Sequence, residues 1–448
     1  MTKDAASPFT TNDPPPFWNE KGSKFYHEVM GDYLMDEYHA CLMGGAPALW
    51  DATQGHYVVS YDAWAKAIID TTGGTTVHQR NEVSEYLKLR APRLDPCSMP
   101  HYIAVANGIV DPFVDGFGEL DENGATIGFY VNSPDFPICN VLPVTFDPNA
   151  YDEATDRWLD SYCDGDEGMR TNLEEVFALC IYRGSDVQQS VWLLGDGGNG
   201  KSTFINVAVN FVGAGNCSSI DMDDLNGRFN LPEMVGKLAN IGDDQLVTKI
   251  DARSCKIFKK AVVGSELEVE QKNQPRYKVR PYCAFVFSLN KFPQLADTSD
   301  GMLDRLHVIN FAKRFRFTGE QVSRMEDVLD NDQSRSYLLN LALKRLPDLV
   351  RRGGMTPTAF SRKQRREIEL DSNSVAAFAD EYLTFENVVN KERDEIYQEY
   401  LAFCETWGFA APVTPRTFSQ RVGRIFNVVA KHDGPRYRGK QQTVFRAR

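Results

Sequence analysis

The stretch VWLLGDGGNGKSTF, residues 191–204, decides the fold of this chain. The apolar residues 191–194 predict a buried strand, and the segment from Ser202 to Phe211 predicts a helix that stops at Gly213. The turn between them fits the G-x-x-x-x-G-K-[ST] pattern of a phosphate-binding loop. Helices and strands alternate from about 167 to 317, which predicts an α/β protein with a parallel sheet.

The predicted phosphate loop is expected to bind the phosphates of ATP. Its glycines allow the backbone amides to curl around phosphate oxygens at the amino end of a helix. Lys201 is expected to reach the β- and γ-phosphates, and the Ser202 hydroxyl is expected to hold Mg²⁺. The candidate binding residues are Gly195, Asp196, Gly197, Gly198, Asn199, Gly200, Lys201, Ser202 and Thr203.

Polar side chains follow two later strand-like segments. Segment 238–242 leads into Asp243 and Asp244, and the apolar strand 282–289 ends at Asn290. Polar groups at the carboxyl ends of parallel strands point into the ligand crevice. We therefore expect Asp243 to serve Mg²⁺, Asp244 to polarise the attacking water and Asn290 to orient it. The competing interpretations are a surface acidic turn and an asparagine that caps the next turn.

Arg305 precedes the predicted strand 306–311. It is a candidate arginine finger, which would neutralise transition-state charge on the γ-phosphate of a neighbouring subunit. In isolation it could equally form a salt bridge with Asp304.

The segment 266–280 alternates apolar and charged residues on both sides of a polar tip, which predicts a hairpin. Its tip and return arm carry Lys272, Arg276, Lys278 and Arg280. Such a hairpin could hold a nucleic-acid backbone in the bore of a ring, and we expect Lys272, Arg276 and Lys278 to contact DNA. An ordinary solvated hairpin is the alternative.

Charge is segregated along the chain. The net charge is −13, yet residues 412–448 carry nine Lys and Arg against one acid, Asp433. Helices followed by two strands in 373–448 suit a winged-helix module, whose basic groups would position DNA through phosphate contacts. The candidate DNA-binding residues there are Arg421, Arg424, Arg436 and Arg438. A basic terminus with no specific target is the alternative.

The predicted domain order is a disordered leader (1–20), an α+β accessory domain (21–166), the ATPase core (167–318), a helical segment and linker (319–371) and a winged-helix-like domain (372–448). The sequence contains no run of roughly 18 apolar residues that would suit a membrane span. Its nine cysteines form no C-x-x-C pair, which favours free thiols in a reducing compartment. We expect a cytoplasmic location.

Taken together, these segments resemble a superfamily 3 helicase of the phage and plasmid primase-helicase group, related to the poxvirus primase-helicase. GDGGNGKST (195–203) looks like its Walker A loop, NIGDD (240–244) like its Walker B motif and FSLNKFP (287–293) like its sensor-1 strand. The segment 300–311 is similar to the family's finger segment, and 396–418 to part of its winged helix. The chain has Gly264-Ser265 where the family usually has Gly-Asp, and Asp244 where it often has Glu.

The resemblance implies an AAA+ core, a hexamer, ATP hydrolysis at subunit interfaces and 3′-to-5′ movement on single-stranded DNA at a replication fork. It also implies a bacterial host cytoplasm if a phage or plasmid encodes the chain. Residues 21–166 match the accessory domain, so a separate primase or other replication protein is expected to supply priming. Two alternatives use the same loop: a P-loop ATPase that remodels proteins or packages DNA, and a non-hydrolysing origin-binding or loading protein.

Overall fold

The computed structural model describes residues 17–244, 248–270, 276–315, 324–409, 412–437 and 440–448. Most of the predicted leader lies outside these ranges. Phe17 is buried, and its ring lies 5.3 Å from that of Tyr33. The packed part of the chain therefore includes the end of the predicted leader.

The amino-terminal segment forms two small sheets with helices beside them. Its elements are α1 (His27–Glu37), β1 (Cys41–Met43), β2 (Ala46–Asp51), β3 (His56–Val59), α2 (Ala63–Thr72), α3 (Val77–Arg90), β4 (Arg93–Leu94), β5 (Ile103–Val105), β6 (Gly108–Val110), β7 (Phe129–Tyr130) and β8 (Val141–Leu142). The strand orders are β3-β2-β1-β4 and β7-β6-β5-β8.

The central segment is built around a parallel sheet, as the sequence predicts. Its elements are α4 (Glu153–Ser161), α5 (Glu167–Ile181), β9 (Ser190–Leu194), α6 (Lys201–Val212), β10 (Cys217–Ser218), β11 (Ala239–Gly242), β12 (Lys249–Ile250), α7 (Ala252–Val262), β13 (Leu267–Val269), β14 (Tyr277–Val279), β15 (Ala284–Leu289), β16 (Gln294–Leu295), α8 (Asp300–Leu303), β17 (Leu306–Asn310), α9 (Met325–Val328) and α10 (Asp332–Arg352). The sheet order is β10-β11-β15-β9-β17, and every neighbouring pair in it is parallel.

Apolar side chains cover both faces of this sheet. Along β9, Val191 and Leu193 belong to one buried cluster and Trp192 belongs to the other, because successive residues of a strand point to opposite faces. Helices α5, α6 and α10 supply the first cluster, and α7 and α8 contribute to the second. A strand that is apolar on both sides is buried on both sides, which explains the continuous apolar run before the loop.

The carboxyl-terminal segment is mainly helical and ends in antiparallel strand pairs. Its elements are α11 (Ala359–Ser372), α12 (Ser374–Tyr382), α13 (Phe385–Val388), α14 (Arg393–Thr406), α15 (Pro415–Ile425), β18 (Val428–Lys431), β19 (Arg436–Tyr437), β20 (Lys440–Gln441) and β21 (Val444–Ala447). Strand β18 pairs with β21, and β19 pairs with β20.

Residues 357–371, at the end of the predicted helical segment and linker (319–371), are mostly helical in α11. Ile368 of this helix is buried in the second cluster of the central segment. The helix therefore packs against the central core through an apolar contact. None of the helices in the described ranges combines the length and the apolarity that crossing a membrane requires.

Candidate active site

The turn after β9 is held from several sides. Gly198 and Gly200 both have φ of +81°, which favours glycine because a side chain would be strained there. Asn199 is buried and donates from Nδ2 to the Phe311 carbonyl at 2.7 Å, and the Phe315 amide donates to the Gly198 carbonyl at 3.0 Å. These contacts fix the path of the predicted phosphate loop.

Tyr162 fixes the far end of the same loop. This residue caps the carboxyl end of α4, and its hydroxyl donates to the Gly200 carbonyl at 3.1 Å. Its ring lies 5.3 Å from that of Phe315. Tyr162, Phe311 and Phe315 are loop-supporting residues that the motif does not identify, because they come from distant parts of the sequence.

Lys201 begins α6 and is 6% exposed. Its Nζ donates to the Gly195 carbonyl and, at 3.1 Å in each case, to the Oδ1 atoms of Asn199 and Asn290. Burial lowers the pKa of Lys201, and the nearby carboxylates of Asp243 and Asp244 oppose that shift. The lysine thus lies between its own loop and the end of the neighbouring strand β15.

Asp243 and Asp244 follow β11 and face Ser288 of β15. The Ser288 hydroxyl donates to Asp243 Oδ1 at 2.7 Å and accepts from the Asp244 amide at 3.3 Å. Ser288 is 1% exposed, so its hydroxyl satisfies its hydrogen bonds within the protein. Ser288 belongs to none of the sequence motifs, although it lies two residues before Asn290 and so points to the same side of β15.

Asn290 connects the lysine with the second carboxylate. Its Oδ1 accepts from Lys201, and its Nδ2 donates to Asp244 Oδ1 at 3.3 Å. Asp244 has φ of +47°, a conformation that is uncommon for residues other than glycine. The structure therefore brings Lys201, Asp243, Asp244 and Asn290 together at the carboxyl edge of the sheet.

The remaining loop residues are more open to solvent. Ser202 and Asp196 are exposed, and Asp196 lies 3.5 Å from the guanidinium of Arg314. A cation with Mg²⁺ chemistry prefers oxygen ligands. The Ser202 hydroxyl and the Asp243 carboxylate are ligands of that kind, so the donor set at this edge fits Mg²⁺. Thr203 is half-buried in the first turn of α6.

Arg305 lies beside the amino-terminal ends of the strands, opposite the end that carries the phosphate loop. It precedes β17, whose first residue, Leu306, pairs with Ser190 at the start of β9. Its Nε donates to the Lys259 carbonyl at 3.3 Å, and its guanidinium also contacts the Gly301 carbonyl. Asp304, the alternative partner suggested by sequence, instead pairs with Arg365 at 2.6 Å. Arg305 is therefore not placed to reach the loop of its own chain.

The predicted hairpin is present, with β13 paired antiparallel to β14. Lys272 lies outside the described residues. Arg276 pairs with Glu268 at 3.6 Å and with Glu270 at 3.2 Å, and Lys278 pairs with Glu266 at 2.7 Å. Two of the three cations predicted to contact DNA are thus engaged with acids of the same hairpin.

The basic residues of the carboxyl-terminal segment differ in their surroundings. Arg421 of α15 is half-buried and donates to Asn373 Oδ1 at 2.8 Å, whereas Arg416 and Arg424 of the same helix are exposed. Arg416, Gln420 and Arg424 recur every fourth residue and so share one helix face. Arg438 and the side chain of Arg436 lie outside what the structure describes.

The sheet, the loop and the polar groups at its carboxyl edge define an α/β protein with a candidate nucleotide site. Residues 193–305 match the model of a family described as "Family of unknown function (DUF5906)". Residues 370–447 match the model described as "Poxvirus D5 protein-like". The first match spans the loop, Asp243, Asp244, Asn290 and Arg305, and the second spans α12 to α15 and the terminal strands.

Comparison with curated proteins found no match. Among solved structures, the chain is similar to "The A form apo structure of NrS-1 C terminal region-CTR", at 13% identity and a TM-score of 0.44, over 91% of this chain and 95% of that one. A second structure, "The apo structure of NrS-1 C terminal region", is 15% identical at a TM-score of 0.44, over 90% and 94% of the two chains.

Proposed function

We propose that this chain is an ATP-dependent DNA helicase of the primase-helicase type, acting in replication of phage or plasmid DNA. One observation carries the proposal: Lys201, Asn290 and the carboxylates of Asp243 and Asp244 meet at the carboxyl edge of a parallel sheet, beside a glycine-rich loop. This is the edge at which parallel α/β sheets bind their ligands. The poxvirus D5-like match of residues 370–447 supports the link to replication.

Each residue of the site has a distinct role in this proposal. The loop amides and Lys201 bind the ATP phosphates, and Ser202 and Asp243 hold Mg²⁺. Bound Mg²⁺ supplies positive charge that offsets the charge of the phosphate oxygens. Asp244 accepts a hydrogen bond from the attacking water, and Asn290 holds that carboxylate in place through its Nδ2. The core is of the AAA+ type in this proposal.

A neighbouring subunit completes the site. Because Arg305 lies at the amino edge of its own sheet, it would serve the loop of the next copy in a ring, as an arginine finger does. We propose a hexamer that moves 3′ to 5′ on single-stranded DNA. Lys272 would contact the strand inside the ring, and the winged-helix-like segment would bind fork DNA through Arg424 and the adjacent basic residues.

A steady-state ATPase assay with and without single-stranded DNA, at two salt concentrations, tests the proposal. We expect Mg²⁺-dependent hydrolysis that DNA stimulates. The stimulation should fall as the salt concentration rises, because the protein binds DNA through its phosphate groups. Lys201→Ala should abolish turnover, and the exposed Lys344→Ala of α10 is the matched control that should retain it. EDTA, which removes Mg²⁺, should abolish hydrolysis by both the wild type and Lys344→Ala.

The outcomes separate the rival functions. Wild-type protein that binds ATP but releases no phosphate, even with DNA present, would indicate a non-hydrolysing loading protein. Hydrolysis that DNA neither stimulates nor couples to unwinding would indicate a protein-remodelling ATPase. Lys272→Ala should keep the basal rate and lose DNA stimulation, and unwinding that survives this change would remove Lys272 from the proposal.

A further inference from the structure

Helix α7 (Ala252–Val262) has one apolar and one basic face. Its buried residues include Cys255, Phe258 and Val262, which pack in the second core cluster. Arg253, Lys256 and Lys260 are exposed. Their spacings of three and four residues place them on one side of the helix, in a row about 10 Å long at 1.5 Å rise per residue.

The adjacent hairpin is electrically balanced. Its acids Glu266, Glu268 and Glu270 are matched by Lys278, Arg276 and Arg228, all in ion pairs between 2.5 and 3.6 Å. A polyanion approaching Arg276 or Lys278 would meet a carboxylate beside each of them. These two cations therefore offer little net attraction.

The acids around α7 are also engaged with other groups. Asp251 caps the helix and accepts from the amides of Arg253 and Ser254, and Asp297 pairs with Lys259. The turn that contains Asp223 and Asp224 lies at the amino end of α7, where the Ser254 hydroxyl donates to the Asp223 carbonyl at 3.1 Å. In the described ranges, Lys256, Lys260 and Arg280 have no acidic side chain within ion-pair distance.

Glu266 lies between Lys260 and Arg280. Its carbonyl accepts from Lys260 Nζ at 3.4 Å, and the register that sets Leu267 opposite Val279 brings Glu266 opposite Arg280. The pKa of Glu266 is lowered first by its hydrogen bond with Lys278 and further by the charges of Arg280 and Lys260. One carboxylate thus lies among three cations, and one of the three pairs with it. We call the surface formed by Arg253, Lys256, Lys260 and Arg280 the α7 basic face.

We infer that the α7 basic face binds the phosphate backbone of single-stranded DNA. The inference rests on the proposed function and moves the contact from the return arm of the hairpin to the neighbouring helix. A row of exposed ammonium and guanidinium groups fits a chain of regularly spaced negative charges. The exposed positions of the face carry no aromatic side chain on which a base could stack, so binding should be independent of base sequence.

Paired variants of the full-length protein test this inference. Lys256→Ala/Lys260→Ala removes two cations that have no acidic partner, and Arg276→Ala/Lys278→Ala removes two cations that are neutralised within the hairpin. Both double variants change the net charge equally, so long-range steering is matched. The readout is fluorescence anisotropy of labelled oligo-dT over a series of salt concentrations, with thermal unfolding as the check that each variant is folded.

The α7 double variant should bind oligo-dT about ten-fold more weakly, with the log–log salt slope smaller by about 1.4, since each lysine accounts for about 0.7 on single strands. The hairpin double variant should change affinity by less than about two-fold. Equal losses in both variants, or no loss in the α7 variant, would overturn the inference. Loss of poly-glutamate binding with oligo-dT binding intact would assign the face to an acidic protein instead.

The test is separate from the test of the nucleotide site. Hydrolysis without DNA depends on Lys201 and the sheet edge and should be the same in both double variants. If the wild type hydrolyses ATP and the α7 double variant binds DNA normally, the nucleotide site is supported and the α7 basic face is rejected as a DNA-binding surface. If the wild type binds oligo-dT through α7 but never hydrolyses ATP, the DNA-binding surface is supported and the helicase proposal is rejected.

Discussion

The Oδ1 atom of Asn290 accepts a hydrogen bond from Lys201 Nζ at 3.1 Å, although 89 residues separate the two positions. The contact follows from the sheet: β9 and β15 are parallel neighbours with Leu194 beside Leu289, so the residues after each strand meet at one edge. The same amide donates to Asp244, and a single side chain thereby joins the loop cation to a carboxylate.

Asn290→Ala should slow hydrolysis far more than it weakens nucleotide binding. The loop and Lys201 remain, but Asp244 loses the donor that holds its carboxylate. Removing one aligned polar group from such a site costs on the order of 10²- to 10³-fold in kcat. Single-turnover hydrolysis and the affinity for a fluorescent ATP analogue measure the two effects, with the exposed Asn149→Ala as the control. A loss confined to affinity would contradict this role.

Ser288→Ala should raise the Mg²⁺ concentration needed for half-maximal hydrolysis. The Ser288 hydroxyl holds Asp243 Oδ1 at 2.7 Å, and groups that orient a metal ligand affect metal affinity by about 10- to 100-fold. Ser288→Thr keeps the hydroxyl and should restore the wild-type Mg²⁺ requirement. Titration of Mg²⁺ at saturating ATP measures it. If Ser288→Ala lowers the rate equally at every Mg²⁺ concentration, Ser288 has only a structural role.

The parts of the site that follow from short local patterns could be predicted from sequence. The glycine-rich loop requires positive φ at Gly198 and Gly200, and apolar strands that end in polar residues mark the ligand edge of a parallel sheet. Ser288 and Tyr162 could not be found in this way. Their roles depend on which strands are neighbours and on contacts between residues tens of positions apart.

The DNA contacts predicted for the hairpin show that charges on one strand cannot be interpreted without the strand that pairs with it. Counting cations on its return arm predicted a DNA contact, but pairing of β13 with β14 sets Glu268 beside Lys278. Opposite charges on facing strands attract each other, so the alternating acids of 266–270 were the available signal for internal pairing. The number of cations on β14 can be counted from the sequence. The number that remain without an acidic partner depends on the side chains of the neighbouring strand β13.

His307→Gln should reduce the loss of stability at acidic pH. Buried His307 donates from Nε2 to Asn172 Oδ1 at 2.8 Å, and burial, with a smaller effect of Arg352, lowers its pKa to about 4. Below about pH 6.5 the unfolded chain binds a proton that the folded chain rejects. The free energy of unfolding should therefore fall by about 2 kcal/mol from this residue between pH 7.5 and 5.0.

Denaturant unfolding of the wild type and of His307→Gln at both pH values measures that difference. Other groups titrate equally in the two proteins, so the comparison isolates position 307. The glutamine amide can still donate to Asn172, which limits the structural cost of the change. An identical pH dependence in the two proteins would mean that His307 does not carry the effect.

Arg305 and the phosphate loop lie at opposite ends of neighbouring strands. The Arg305 carbonyl accepts from the amide of Ser190 at 2.8 Å, whereas Gly195 follows the other end of β9. Five strand residues at about 3.3 Å each separate the two ends by roughly 16 Å. If Arg305 acts in hydrolysis, it must act on another copy.

Mixing two inactive variants should therefore restore hydrolysis. Arg305→Ala subunits keep an intact loop, and Lys201→Ala subunits keep the arginine, so an active site forms wherever the first receives its arginine from the second. Random assembly of equal amounts gives such a boundary about one time in four, because the contact between ring neighbours is head-to-tail. Mixing Lys201→Ala with Asp244→Asn is the control, since both damage the loop side and neither can rescue the other. If the first mixture stays as inactive as the control while both variants still assemble, the catalytic arginine is not Arg305.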